Sequence, residues 1–330
     1  MNFFSKYNLQ ILVILAVGVI FIFGQRGLAE KDQVASIESV YVDEGVLSGA
    51  DAGLITGSTD KSDFEADSAL KSAQYLPAKI FTEKENNPEL EVDATNVLLA
   101  DLLSSEKYFE KNSGKRWPIA SITKLMTGYV ALKKPNLTDT VTIKKEDIDP
   151  NESGIFSEGQ EYSTRDLIRI MLIASRNTAA NAVANHFGRA DFMAEMNQQA
   201  KEWGMDDTHF EDPSGLSVSN QSTANDLLKL AQGITKEDSD VWKITENAKI
   251  SVKEISSGKF ISFESTNQFA TRRDFFGGKT GYIPASDGNL LSVFLYQKRT
   301  IVIIVLGSQD RFGETEKIYN WFTNGYRTSN

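Results

Sequence analysis

The sequence predicts an α+β domain: an antiparallel sheet flanked by helices, with a helical lobe attached. Three observations carry that expectation. An apolar, strand-like run, Asn96-Val-Leu-Leu-Ala-Asp-Leu102, is followed by Lys107 to Glu110 as a hairpin partner. A long middle region repeats apolar residues at helical spacing. The chain then changes to strand-like segments separated by turn-forming residues. An early hairpin, a helical insertion and a series of sequential strands together describe a sheet carrying a lobe of helices.

Taken in order, Pro118 precedes a helical stretch from Ser121 to Lys133, with Leu125, Tyr129 and Leu132 at helical spacing. Thr164 to Ala174, Thr178 to Phe187 and Ala190 to Trp203 share that periodicity. Thr223 and Asp226 form the cap of a further helix reaching Gly233. Strands are expected over Lys249 to Ile255, Lys259 to Glu264, Phe276 to Thr280, Asn289 to Gln297 and Thr300 to Gly307. Ser-Ser-Gly and Gln-Lys-Arg turns separate two of these pairs, and Glu314 to Tyr326 reads as a closing helix.

The N-terminal part has a different character. Tyr7 to Gln25 is a run of 19 uncharged residues, against the roughly 18 that suggest a transmembrane helix. Residues 1–29 are therefore expected to be a membrane anchor, with a cleaved signal as the rival, because Gly27-Leu28-Ala29 resembles a small-x-small cleavage site. Lys6 on one side and Arg26 and Lys31 on the other leave the orientation open. Either reading sends the remainder out of the cytoplasm: tethered at the membrane with an anchor, secreted without one. Residues 30–74 alternate acidic, Ser, Gly and small residues and read as a flexible, self-repelling linker. Between Glu30 and Leu70 stand ten acidic residues and two basic ones, which accounts for most of the chain's net charge of −10. That acidity belongs to the spacer and says little about substrate, but it argues against nucleic acid as a partner. Residues 75–330 are the expected catalytic domain.

The chain has no cysteine and only two histidines, His186 and His209. Thiol nucleophiles, disulfides and thiolate metal sites are excluded, and no metal or other cofactor is expected. The chemistry must fall to hydroxyl, amine, carboxylate or backbone groups. Ser121-Ile-Thr-Lys124 places an amine three residues after a hydroxyl, on one helix face. A serine is a poor nucleophile until a neighbouring base takes its proton. Lysine is such a base only when burial or nearby cations lower its pKa. The same spacing recurs at Ser58/Lys61, Ser68/Lys71, Ser104/Lys107 and Ser256/Lys259, so the pattern alone selects nothing. Ser175-Arg-Asn177 ends a predicted helix, where a hydroxyl and an amide can face a cleft, although Ser265-Thr-Asn267 repeats the letters. Lys279-Thr-Gly281 occurs once, at a strand end. There a lysine can hold a carboxylate, and Gly281 lets a peptide approach the strand edge closely.

The three motifs in this order are the signature of penicillin-binding proteins and class A β-lactamases. From about Asn96 to Tyr326 the chain resembles the D-alanyl-D-alanine carboxypeptidase family, the low-molecular-weight penicillin-binding proteins. Trp117-Pro-Ile-Ala-Ser-Ile-Thr-Lys-Leu-Met-Thr127 looks like that family's nucleophile segment. Thr208-His-Phe-Glu-Asp-Pro-Ser-Gly-Leu216 and Gly278-Lys-Thr-Gly-Tyr282 resemble its downstream loop and strand motifs. The resemblance implies the β-lactamase/DD-peptidase-like fold. It implies Ser121 as the acylated nucleophile, Lys124 as its base, and Ser175 and Asn177 as groups that relay protons and hold the substrate amide. It further implies that Lys279 and Thr280 bind a terminal carboxylate, and that the backbone N–H groups of Ser121 and Tyr282 form the oxyanion hole. The implied substrate is a peptidoglycan stem peptide ending in D-Ala-D-Ala, and β-lactams are the implied covalent inhibitors.

Two departures stand out. After Tyr282 the chain reads Ile-Pro-Ala-Ser-Asp-Gly, a more acidic turn than family members usually carry, which bears on substrate preference at the cleft edge. The sequence also stops soon after its last helix, so the C-terminal β domain of many family carboxypeptidases is not expected, and the N-terminal segment would supply attachment. Alternatives within the same resemblance are a DD-endopeptidase, a β-lactamase with Glu211 activating water, and a non-catalytic muropeptide-binding scaffold. Structural roles are expected for His186 and His209, and a turn role with Gly288 for Asp287.

Overall fold

The computed structural model describes residues 81–329 apart from 153, 238 and 239. The expected anchor at residues 1–29 and the linker at 30–74 lie outside the described residues. Among the described residues no helix is long and apolar enough to cross a membrane.

The chain begins with a short strand β1 (Phe81–Glu83), then the early hairpin β2 (Asn96–Asp101) and β3 (Lys107–Lys111). Strand β4 (Trp117–Pro118) and a 3-10 turn, Ala120–Thr123, lead into α1 (Lys124–Leu132). A small pair, β5 (Thr140–Thr142) and β6 (Glu161–Ser163), precedes the helices α2 (Thr164–Ala174), α3 (Asn177–His186) and α4 (Arg189–Glu202). After β7 (Gln221–Ser222) come α5 (Ala224–Glu237) and α6 (Asp240–Thr245). Strands β8 (Lys249–Lys253), β9 (Phe260–Glu264), β10 (Phe275–Ile283), β11 (Asp287–Tyr296) and β12 (Arg299–Ser308) follow. Helix α7 (Arg311–Gly325) and β13 (Tyr326–Thr328) close the described chain.

The central sheet has five antiparallel strands in the order β10-β11-β12-β2-β3, so the last long strand pairs with the early hairpin. Its middle strands are buried on both faces. On β12, Val302, Ile304 and Leu306 join the larger core beneath the helical lobe. Ile301, Ile303 and Val305 alternate with them and pack with Ile318 and Phe322 of α7 on the opposite side. That two-sided burial is why β2 and β12 read as continuous apolar runs rather than alternating ones.

Three expectations need correction. β8 and β9 form a separate two-stranded hairpin and do not extend the sheet. The burial of β8 alternates, with Ile250 and Val252 inward and Lys249, Ser251 and Lys253 outward, which suits a ribbon lying on α2 and not an interior strand. The expected helix at Ser121 starts instead as a 3-10 turn, with α-helix only from Lys124. Ser175 does end α2, but Asn177 opens α3, so the motif is the sharp corner between two helices.

α2 illustrates how the lobe is built. The Ser163 hydroxyl accepts from the Asp166 N–H at 3.1 Å and caps the start. Leu167, Ile168, Ile170, Met171, Leu172 and Ile173 bury it nearly all round, making it the axis of the lobe. The lobe meets the sheet close to Pro118. There the buried Asn289 of β11 donates to the Pro118 carbonyl at 2.9 Å and accepts from the Gly307 N–H at 3.0 Å. Replacing Asn289 by Ala strands both backbone groups, and each unsatisfied group costs about 1–3 kcal/mol. The Asn289→Ala protein should therefore unfold at a lower urea midpoint with an unchanged slope; an unchanged midpoint would show that water replaces the amide freely.

Candidate active site

Ser121 occupies the 3-10 turn and Lys124 is the first residue of α1. Residues three apart eclipse each other in a 3-10 turn, which aligns the two side chains more closely than an α-helix would. The Lys124 Nζ lies 2.8 Å from Ser121 Oγ, 2.7 Å from Asn177 Oδ1 and 2.5 Å from the Ser214 carbonyl oxygen. The lysine is fully buried. Burial brings its pKa down to about 7, and the more distant carboxylates of Glu152, Asp212 and Asp149 oppose that fall. No carboxylate oxygen makes a direct contact with the amine among the described residues.

This environment fits Lys124 to serve as a base with a preset direction. A neutral amine has two N–H donors and one lone pair. Asn177 Oδ1 and the Ser214 carbonyl can only accept, so they take the two hydrogens. The lone pair is then left for the Ser121 hydroxyl.

The Ser214 carbonyl is held by a loop organised around Asp212. The half-buried carboxylate of Asp212 accepts from the N–H groups of Ser214 (2.8 Å), Gly215 (2.8 Å) and Ser217 (2.7 Å), from Ser214 Oγ (2.6 Å) and from Asn220 Nδ2 (2.6 Å). Burial alone would raise its pKa; these hydrogen bonds outweigh it and keep the group ionised below the usual range. The same loop is strapped to the nucleophile segment by the β4–β7 pairing and by Ile119 N–H donating to the Asn220 carbonyl at 2.9 Å. Asp212 thus has a place at the site, at one remove from the reacting atoms.

A second lysine stands across the cleft. Lys279 projects from β10, an edge strand of the sheet, and donates to Ser175 Oγ at 2.7 Å and to the Thr280 carbonyl at 3.0 Å. It too is buried, and burial, Lys124 and Arg311 all push its pKa well down. Ser175 reaches it from a left-handed conformation, φ 60° and ψ 27°, at the end of α2. A non-glycine residue there costs about 1–2 kcal/mol, and such strain is characteristic of functional corners. Thr280 turns its hydroxyl to Thr266 Oγ1 at 2.7 Å, while Tyr282 stands at the cleft rim, 62% exposed. Arg311 donates to the Gly281 carbonyl at 2.8 Å and fixes the strand just before Tyr282.

Two glycines bring backbone against the nucleophile. A Cβ on Gly281 would lie 2.7 Å from the Ile119 carbonyl oxygen and 3.2 Å from Ser121 N. One on Gly215, where φ is +84°, would lie 2.0 Å from the Ala120 carbonyl oxygen and 2.9 Å from Ser121 N. The Ser121 amide is therefore flanked by bare backbone from both walls.

All eight residues singled out from the sequence fall along this one cleft: Ser121, Lys124 and Asn177 in one cluster, Ser175 and Lys279 in another, and Thr280, Gly281 and Tyr282 along the strand. Among the described residues the competing copies are engaged differently. Lys107 pairs with Glu110 at the surface, and the Asn267 side chain caps a turn at Phe269. Sequence reasoning missed the Ser214 carbonyl, Asp149, Glu152 and Arg311. The carbonyl has no side-chain signal, and the other three are ordinary charged residues whose partners are remote in sequence. His186 stacks edge-on with Phe187, and His209 pairs with Glu211 at 3.1 Å on the surface. Asp287, at φ 51°, closes the turn between β10 and β11.

A buried lysine beside a serine, with a second lysine on the facing strand edge, is the arrangement of the penicillin-binding proteins, and the α+β architecture is theirs as well. The chain belongs to the D-alanyl-D-alanine carboxypeptidase family, peptidase S11, whose sequence profile it matches over residues 81–310. It is similar to the D-alanyl-D-alanine endopeptidase of Escherichia coli (strain K12), with 28% identity over 247 residues, covering 71% of this chain and 79% of that protein. It is also similar to the D-alanyl-D-alanine carboxypeptidase DacC of the same organism, with 28% identity over 248 residues, 70% of this chain and 61% of that protein. Among solved structures, penicillin-binding protein D2 of Listeria monocytogenes in its cefotaxime-bound form superposes with a TM-score of 0.64 at 28% identity. That match covers 71% of this chain and 98% of the other.

The glycine flanks are open to test. Gly215→Ala should lower acylation by β-lactam about tenfold or more, because it displaces the Ala120–Ser121 peptide. Gly204→Ala is the control: its φ of +68° carries similar backbone strain, but no atom lies within 4 Å of the added methyl. It should destabilise by about 1–3 kcal/mol and leave acylation intact. Equal acylation losses in the two variants would show that strain, not contact with the nucleophile segment, is responsible.

Proposed function

We propose that this chain is a serine-type D-alanyl-D-alanine peptidase that cuts peptidoglycan stem peptides through an acyl-enzyme on Ser121. The observation that carries the reading is the Lys124 amine, buried and committed to two acceptors so that it faces the Ser121 hydroxyl. A binding scaffold has no use for such a group.

Lys124 takes the Ser121 proton as Oγ attacks the carbonyl of the penultimate D-alanine, and a bond forms between Oγ and that carbon. The oxyanion is met by the backbone N–H groups of Ser121 and Tyr282, where such a donor is typically worth about 2.7–4 kcal/mol. The C–N bond then breaks, and the proton that Lys124 took passes to the leaving amine by way of the Ser175 hydroxyl, whose oxygen accepts from Lys279, so that Lys124 is neutral again. Water hydrolyses the ester and restores Ser121. Lys279 and Thr280 form the carboxylate-binding end of the site.

A second reading within the family, a DD-endopeptidase that cuts cross-links, is favoured by the relatives named D-alanyl-D-alanine endopeptidase in Escherichia coli, Haemophilus influenzae and Pseudomonas aeruginosa. The Haemophilus influenzae endopeptidase is 34% identical over 199 residues, against 28% over 248 for the carboxypeptidase DacC. A β-lactamase reading is disfavoured by Glu211, whose exposed carboxylate meets His209 and not the Ser121 cluster. We also retain the extracytoplasmic location, with residues 7–25 as anchor and the acidic spacer as tether.

Incubating the catalytic domain with purified monomeric and cross-linked muropeptides, with mass analysis of products, tests the activity. Loss of one D-alanine from monomers is the carboxypeptidase outcome, and conversion of dimers to monomers is the endopeptidase outcome. Intact-mass analysis after penicillin treatment should show one adduct that is absent in Ser121→Ala; an adduct surviving in that variant would remove Ser121 from the mechanism.

The pH dependence follows from Lys124. Its ammonium form, dominant below its pKa of about 7, cannot accept the serine proton. Acylation should therefore rise as pH passes upward through about 7 and level off above it. A profile flat across neutrality in stopped-flow acylation would mean that another group is the base.

A further inference from the structure

Asn177 is gripped from two sides that differ in charge. Its Oδ1 accepts from Lys124 Nζ at 2.7 Å, and its Nδ2 donates to Asp149 Oδ2 at 2.6 Å. Turning the amide over would set an NH2 group against the lysine amine and an oxygen against a carboxylate. Both contacts would be repulsive, so Lys124 and Asp149 together admit one orientation of the amide.

Asp149 is itself fixed. It is buried, its Oδ1 accepts from Asn151 N–H at 2.9 Å and Asn151 Nδ2 at 3.0 Å, and its own N–H donates to Thr178 Oγ1 at 3.1 Å. Glu152, on the same turn, accepts from the N–H groups of Asn177 at 2.8 Å and Thr178 at 2.9 Å. The 149–152 turn is thus latched onto the start of α3, where the Glu152 carboxylate binds two free N–H groups and Asp149 holds the Asn177 amide.

We infer that Asp149 is a positioning residue for acylation: it locks Asn177 so that the amide oxygen takes one hydrogen of Lys124 and leaves the lone pair for Ser121. It acts through Asn177, with no contact of its own to the reacting atoms. Its charge has a second effect. The charged groups that act on the Lys124 amine are Glu152 and Asp149 from this turn and Asp212 from the facing loop; Lys279 of β10, across from it, is itself pushed down by Lys124. The three carboxylates favour the protonated amine, and burial disfavours it. Removing the Asp149 charge therefore lowers the Lys124 pKa further and shifts the acid limb of acylation to lower pH, even as the rate falls. A residue that merely braced the turn would reduce the rate and leave the limb in place.

The inference rests on Lys124 being the base, and the test separates the two. The rate of acylation by a fluorescent penicillin is measured across the neutral pH range for wild type, Asp149→Asn, Asn177→Asp, the double exchange and Lys124→Ala. In Asp149→Asn the plateau should fall about tenfold to a hundredfold, the scale of a misplaced catalytic group, with the limb displaced to lower pH. The double exchange swaps carboxylate and amide and again sets donor against acceptor. It should acylate faster than Asn177→Asp alone, with a limb at higher pH because a carboxylate now touches Lys124. An Asp149→Asn plateau close to wild type, or an unmoved limb, overturns the inference. So does a double exchange no faster than Asn177→Asp, which is the deciding comparison if Asp149→Asn fails to fold. Wild-type acylation by Lys124→Ala would instead fault the assignment of the base.

Discussion

Taking one amine out of water is the constraint on which the rest of this site depends. An ammonium in a dry interior is costly unless paired, and a carboxylate in contact would raise its pKa and end its use as a base. The fold answers with neutral acceptors in contact and anions one step behind. Asn177 Oδ1 and the Ser214 carbonyl touch Lys124 directly, while Asp149, Glu152 and Asp212 stand behind them and hold those acceptors in place. The amine is thereby satisfied in either protonation state, which a base must be if it is to cycle.

The second requirement is close approach. Serine and lysine come from one turn, but the groups that complete the cleft come from a helix corner, a loop and a sheet edge. Bringing the loop and strand backbones against Ser121 is possible because Gly215 and Gly281 present no side chain there. Ala120, at φ 48°, and Ser175, at φ 60°, hold conformations that L-residues adopt reluctantly. The local cost is borne by the packing of α2 and the sheet around it, and it falls where the chain must change direction beside the cleft.

The layout of the sheet and lobe was largely legible, because long elements carry their periodicity openly: α2 runs over Thr164–Ala174 as its pattern predicts. Short elements were not. The pairs β4–β7 and β5–β6 are too brief to show a period, and β8–β9 carries strand chemistry without sheet membership. The site was legible as three motifs in order, since nucleophile, base and strand lysine are specific residue types at fixed spacings. What surrounds them was not. A backbone carbonyl such as that of Ser214 has no letter of its own, and the roles of Asp149 and Glu152 exist only once a turn some 25 residues upstream reaches Asn177. The Ser-x-x-Lys spacing occurs five times in the sequence, and the two motifs downstream are what set Ser121 apart; its partner Lys124 is then found fully buried.

The join between β2 and β12 sets a timetable for the molecule. Asp101 and Arg299 form a paired hydrogen-bonded contact across that join although they lie 198 residues apart. The helices between them are stabilised mainly by near neighbours, whereas the sheet closes only when its distant strands are both present. As the chain lengthens from its N-terminus, Ser121 and Lys124 are made well before β10 to β12, and the wall of the cleft is supplied last. A half-made chain can hold Ser121 beside Lys124 but lacks the strand edge that faces them, so the site waits for completeness.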